Sequence, residues 1–92
     1  MSNYKIFETD TFINSVNKIQ SDKRKKIYDK LLNYVYPQLK GTPFYDPNIK
    51  KFLNYEPPTW RYRVGNYRLF YEIDKTENII YITLIEIRDK AY

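Results

Sequence analysis

Thr59-Trp60-Arg61-Tyr62-Arg63-Val64-Gly65-Asn66-Tyr67-Arg68-Leu69-Phe70-Tyr71-Glu72-Ile73-Asp74 reads as a β-hairpin closed by Gly65-Asn66. A two-residue loop of this kind joins adjacent antiparallel strands, with glycine supplying a positive φ. Counting outward sets Val64 opposite Tyr67, Arg63 opposite Arg68, Tyr62 opposite Leu69, Arg61 opposite Phe70 and Trp60 opposite Tyr71. Side chains alternate across a strand. One face therefore carries Arg61, Arg63, Arg68, Phe70 and Glu72, and the other Trp60, Tyr62, Val64, Tyr67, Leu69, Tyr71 and Ile73. The second set is apolar and aromatic and must be core. Like charges directly opposite destabilise a sheet, so Arg63 facing Arg68 calls for a reason, and an anion bound between them is one.

On the N-terminal side, residues 4–8 alternate and read as an edge strand. Asp10 or Thr11 is placed to cap a helix whose apolar residues Phe12, Val16 and Ile19 follow i, i+4, i+7 spacing. Ser21 or Asp22 is placed to cap a second helix with Ile27, Leu31, Tyr34 and Val35 on one face. Pro37 disfavours helical geometry at Tyr36, which predicts that this helix ends there or within a turn. The short link between the two helices predicts an antiparallel helical hairpin. Residues 37–58 are proline-rich and read as a long connection; within it, Asn48-Ile49-Lys50-Lys51-Phe52-Leu53 fits a turn of helix or a short strand.

A last strand spans residues 79–87, after the polar turn Lys75-Thr76-Glu77-Asn78. It is apolar on both parities, as suits a central strand. A four-residue loop would put Ile80, Ile82 and Leu84 in the core; a five-residue loop would put Ile79, Tyr81, Thr83, Ile85 and Ile87 there. Only the second places Glu86 and Arg88 on the arginine face without a bulge. The expected fold is α+β: a small antiparallel sheet, in the order β-α-α-β-β-β, with the helical hairpin on one face and the other face open. Residues 1–92 are expected to form a single domain.

Composition narrows the chemistry. With 92 residues the core is modest, and eleven tyrosines let a few large residues supply much of the buried area. The chain has no cysteine, which excludes disulfides and thiolate metal sites, and no histidine, which removes the usual general base and the commonest metal ligand. No metal or cofactor is expected. The start Met1-Ser2-Asn3-Tyr4 shows no targeting pattern and no apolar run approaches membrane-spanning length, so a cytoplasmic protein is expected. Sixteen basic against eleven acidic residues leave a net charge of +5, an excess that favours a polyanionic partner.

A sheet face with one wet side commonly carries arginines paired with nearby carboxylates such as Glu72 and Glu56. Three arginines at adjacent pair positions are less common, and guanidinium forks match phosphate oxygens bidentately. The pattern points to a phosphate site. The run Lys23-Arg24-Lys25-Lys26 reads first as solvated helix surface, although cations near a helix N-terminus oppose its macrodipole. Lys50 and Lys51 sit where they extend the basic surface as RNA-binding residues.

Taken together, Asn48-Ile49-Lys50-Lys51-Phe52, the run from Trp60 to Tyr71 with its Gly65-Asn66-Tyr67-Arg68-Leu69-Phe70-Tyr71 portion, Ile87-Arg88 and the closing Tyr92 resemble the RelE/ParE superfamily of toxins. The resemblance spans nearly the whole chain. It implies the toxin of a type II toxin–antitoxin system, a ribosome-dependent endoribonuclease (mRNA interferase) that inhibits translation and is held inactive by a cognate antitoxin. Its partners would be that antitoxin, the ribosome and mRNA, with no metal and no membrane. The ParE branch instead poisons DNA gyrase, and a non-catalytic RNA-binding module would share the charge and aromatics.

Carried over residue by residue, the resemblance implies catalytic roles for Arg61, Arg63, Arg68, Arg88 and Tyr92. Some members have lysines in place of Arg61 and Arg63, and others a histidine where this chain has Ile87. Arginine does not deprotonate in proteins. The general base is therefore left among Glu86, Glu72, a lysine and Tyr92, with Tyr92 the first choice by resemblance and Glu86 the next by charge type.

Overall fold

The computed structural model describes residues 3–52, 56 and 58–87. Among these residues five strands, three α-helices and a π-helical turn follow one another: β1 (Lys5–Glu8), α1 (Asp10–Asn17), α2 (Ser21–Lys30), the π-helical turn (Leu31–Val35), α3 (Tyr36–Gly41), β2 (Ile49–Phe52), β3 (Thr59–Val64), β4 (Tyr67–Asp74) and β5 (Ile79–Ile87). The sheet order is β1-β5-β4-β3-β2. The fold class is α+β as expected, and two details of the expected antiparallel, four-stranded sheet are corrected. β1 lies parallel to β5, so the sheet is mixed at that edge. The undecided stretch around Lys50 is a strand, paired antiparallel with β3.

The hairpin has the register counted from its loop, Trp60 opposite Tyr71 through Val64 opposite Tyr67. Gly65 carries φ 58°, the positive value that the first position of a type II′ turn requires. Tyr62, Val64, Leu69 and Tyr71 face inward and are buried. They meet Phe12 and Val16 of α1, Ile27 of α2, Leu31 and Val35 of the π turn, Tyr36 and Leu39 of α3, and Ile80, Ile82 and Ile85 of β5 in one core.

The last strand uses both anticipated registers. Asp74 pairs with Ile79 across a four-residue turn, which buries Ile80 and Ile82. Asp74 Oδ1 accepts from the N–H groups of Thr76 and Glu77 within that turn, and Asn78 ends it with φ 58°. A bulge then shifts the pairing: Tyr71 faces Ile82 but Phe70 faces Leu84, leaving Thr83 extra. Beyond it the parity is reversed, so Ile85 is core and Glu86 lies opposite Arg68. Thr83 Oγ1 donates to the Phe70 carbonyl (3.1 Å) and Ser15 Oγ of α1 accepts from the Ile85 N–H (3.1 Å), which satisfies polar groups around the irregularity.

Both helix starts differ from expectation by a residue. The cap of α1 is Thr9, whose Oγ1 accepts from the Phe12 N–H (3.2 Å) and donates to the Ile82 carbonyl (2.9 Å), while Asp10 occupies the first turn. Tertiary contact with β5 selects Thr9 over its neighbours. Thr9→Ala is expected to cost about 1–2 kcal/mol, the upper part of the capping range, because two hydrogen bonds go at once; a urea unfolding midpoint equal to wild type would contradict this. Before α2, Gln20 is the cap without a side-chain bond, and Asp22 accepts only from the adjacent Lys23 N–H.

The helix also runs past Pro37, contrary to the expected stop at Tyr36. Tyr36 is helical (φ −63°, ψ −44°), and its N–H reaches back five residues to the Leu31 carbonyl. The wider π turn eases the clash a proline ring makes with the preceding turn. Packing holds the geometry: Val35, Tyr36 and Leu39 are buried. The Tyr36 and Tyr28 hydroxyls both donate to Glu8 Oε2 at 2.8 Å, tying this long helical stretch to β1.

Burial, then the hydrogen bond to Glu8, then its charge push the Tyr28 phenol up to about 12, and the same causes raise Tyr36 further. The folded chain therefore keeps these protons above the ordinary tyrosine value near 10. The stability so linked is complete below pH 10 and declines above it, the Tyr28 share being lost as pH rises through 12 and the Tyr36 share higher still. Tyr36→Phe should lower stability at pH 7, by losing a bond to Glu8, yet decline less steeply between pH 10 and 12. Equal alkaline slopes in urea titrations of the two proteins would contradict that assignment.

Candidate functional site

The outward face of the β2–β3–β4 sheet gathers the cations. Lys50 pairs with Arg61, and Arg63 pairs with Arg68, so alternation puts all four on the face away from the helices. They surround a cleft of about 190 Å³ together with Phe52. The Phe52 and Phe70 rings lie 5.8 Å apart on this face and give the cationic heads an apolar bed. Arg63 is exposed and Arg68 half-buried. The β5 bulge brings in the carboxylate of Glu86, with Oε2 3.6 Å from Arg68 Nη2. Arg68 Nε is buried and has no hydrogen-bond partner among the described residues. Four cations thus gather beside the Glu86 carboxylate, an arrangement suited to a phosphate or to the charge that develops on one.

The face is braced from beneath by residues that sequence reasoning missed. The Asn48 carbonyl accepts from the Arg63 N–H (2.9 Å) and from Arg61 Nη1 (3.4 Å). Asn48 is in turn set by Asp46, whose Oδ1 accepts from its N–H at 2.8 Å. Gln38 donates to Asp46 Oδ2 and accepts from the Tyr62 hydroxyl (2.6 Å), linking α3 to β3. Burial, and then the charge of Asp46, raise Tyr62, so its phenol stays protonated below the network. The sequence signal was Asp46-Pro47-Asn48, an Asx-turn pattern, although its partner Gln38 lies in the stretch that Pro37 marked as non-helical.

Two of the expected residues lie apart from this cluster. Lys51 pairs with Trp60 and lies over its ring (5.5 Å), because its parity is opposite to that of Lys50. Glu72 shares the outward face but lies four strand positions from Arg68, roughly 13 Å along the strand. It is nearer to Arg61, whose partner Phe70 is two residues back along β4. Arg88 and Tyr92 lie outside the described residues. Among the described residues there is no cluster of acidic groups able to hold a metal, and no helix is long and apolar enough to cross a membrane.

With this geometry in place, the comparisons with known proteins are specific. The family model for the ParE toxin of type II toxin–antitoxin systems, parDE, matches residues 8–92. Among solved structures, the toxin–antitoxin complex RelBE2 from Mycobacterium tuberculosis is similar at 23% identity, over 94% of this chain and 99% of that one, with a TM-score of 0.70. The archaeal RelE–RelB complex from Pyrococcus horikoshii OT3 is similar at 18% identity, over 97% and 99%, with a TM-score of 0.76. The isolated E. coli RelE toxin is similar at 16% identity, over 96% and 87%, with a TM-score of 0.65. At these identities the likeness is one of fold. No curated protein matches the chain.

Proposed function

This chain belongs to the RelE/ParE superfamily of toxins from type II toxin–antitoxin systems, and from that premise we propose that it is a ribosome-dependent endoribonuclease that cleaves mRNA. The observation that carries the reading is the convergence of Lys50, Arg61, Arg63 and Arg68 on one outward cleft. In metal-free cleavage the substrate's own 2′-OH attacks the adjacent phosphate, leaving a 2′,3′-cyclic phosphate and a 5′-OH. Negative charge builds on the phosphorus oxygens, and preorganised guanidinium donors act there with little reorganisation. Arg61, Arg63 and Arg68 take that part, and Lys50 holds the flanking phosphate.

Glu86 is the proton acceptor at the cleft, set opposite Arg68. Arg88 and Tyr92 retain the roles implied by the resemblance, Tyr92 as the competing base. The ribosome presents the message and imposes the in-line geometry. A cognate antitoxin, cytoplasmic like its toxin, covers the cationic face with a complementary acidic segment.

One observation favours a second reading: the family model that matches is that of the ParE toxin. A ParE-like gyrase inhibitor would have no need of the arginine cleft. Purified protein added to ribosomes translating a defined mRNA separates the two. New 5′ ends within the ribosome-bound codon are expected; an intact message together with arrested gyrase supercoiling would overturn the nuclease reading.

A further inference from the structure

The groove between α2 and the β3–β4 turn carries charge for which the arginine cleft does not account. Lys23, Lys26 and Lys30 recur at i, i+3 and i+7, so one face of α2 presents all three along roughly 10 Å of helix axis. They line a cavity of about 570 Å³ that has Asp29 as its one acidic neighbour. Tyr34, at its margin, is 70% exposed.

Arg24, from the same basic run, is spent otherwise: its Nη1 donates to the Asn17 and Ile19 carbonyls (3.1 Å each) at the end of α1. The run therefore divides into an arginine that closes a helix end and two lysines, Lys23 and Lys26, that line this groove. A second groove, of about 250 Å³, shares Lys30 and Tyr34 with the first and reaches Arg63. Arg63 also lines the arginine cleft. The lysines and the cleft thus join at Arg63, around the edge of the hairpin.

We propose that this groove is an extension of the cleft that holds single-stranded RNA, with successive phosphates on Lys23, Lys26, Lys30 and Arg63 and a base stacked on the Tyr34 ring. The proposal rests on the nuclease reading and adds to it a stretch of substrate beyond the scissile phosphate. Continuity with the cleft favours a strand over an acidic protein segment, because one polyanion then satisfies both sets of cations. An exposed tyrosine beside lysines suits a base, which offers a π-face whatever its identity.

The test is equilibrium binding of a short unstructured RNA oligonucleotide over a salt series. It compares the wild-type chain, a Lys23→Gln/Lys26→Gln/Lys30→Gln variant, Tyr34→Ala, and an Arg61→Ala/Arg68→Ala cleft variant. Three phosphate contacts on a single strand contribute about 0.7 each to the slope of log K against log salt. The lysine variant should therefore bind about tenfold or more weakly near physiological salt, with a slope shallower by about 2. Tyr34→Ala should weaken binding with the slope unchanged.

A lysine variant that binds with the wild-type affinity and slope overturns the proposal. If the cleft variant alone loses binding, the extension falls while the nuclease reading stands. Wild-type protein that binds no RNA, yet captures a synthetic acidic peptide through these lysines, also overturns the extension. Cleavage of ribosome-bound message then reports separately on the nuclease reading.

Discussion

Arg68→Ala is expected to lower the rate of mRNA cleavage on ribosomes by a factor of about 10²–10³ while leaving the melting temperature unchanged or slightly raised. The kinetic part follows from position. Arg68 lines the cleft between Arg63, opposite it on β3, and Glu86, opposite it on β5. Removing a preorganised donor aimed at a developing anion costs about 2.7–4 kcal/mol of transition-state stabilisation.

The stability part is a balance of small terms. The ion pair to Glu86, at 3.6 Å between side chains each about 40% exposed, is a surface pair of the kind worth about 0–1 kcal/mol. Against that, truncation removes the repulsion from Arg63 and a buried Nε–H that has no partner among the described residues. Rate constants from a single-turnover cleavage assay, beside a melting curve, check the pair of outcomes. Wild-type cleavage by the variant would reduce the cluster to a solvated sheet face.

Phe12→Ala is expected to cost about 3–5 kcal/mol, which is most of the stability of a small domain. Phe12 is fully buried, and it sits one turn beyond the Thr9 cap where α1 rests on β5. The vacated volume cannot be refilled cheaply, because Leu31, Ile80 and Ile82, also in the core, are themselves fully buried. The loss should appear in both unfolding midpoint and cellular abundance. A shift in urea midpoint corresponding to less than about 1.5 kcal/mol would mean that α1 does not anchor the sheet in this way.

What could be read in advance and what could not divide along physical lines. The hairpin register was legible because a two-residue loop and strict alternation determine it jointly, and the arginine face followed. β5 was not, since isoleucines on both parities leave no periodic signal and the bulge at Thr83 depends on β4, where Tyr71 meets Ile82 and Phe70 meets Leu84. β2 acquires its strand geometry only through β3, whose residues pair with it from Phe52–Thr59 out to Ile49–Tyr62, a partnership that local propensity does not reveal. At Pro37 the local rule pointed to a helix end, but burial of Tyr36 and Leu39 and the bonds to Glu8 outweighed it. Of the proposed site, the positions of Arg61, Arg63 and Arg68 were legible. The bracing by Gln38, Asp46 and Asn48 was not, because it joins a helix to a loop and a strand.

The central claim, that the outward arginine cleft is where RNA is cut, is tested most directly by the chemistry of the product ends. Ribosomes halted on a defined message are treated with the wild-type chain or with Arg68→Ala, and the termini at the cut are identified. The account predicts a 2′,3′-cyclic phosphate facing a 5′-OH with wild type, formed without added metal, and a loss of both with the variant. An intact message, or ends bearing a 5′-phosphate, would contradict it.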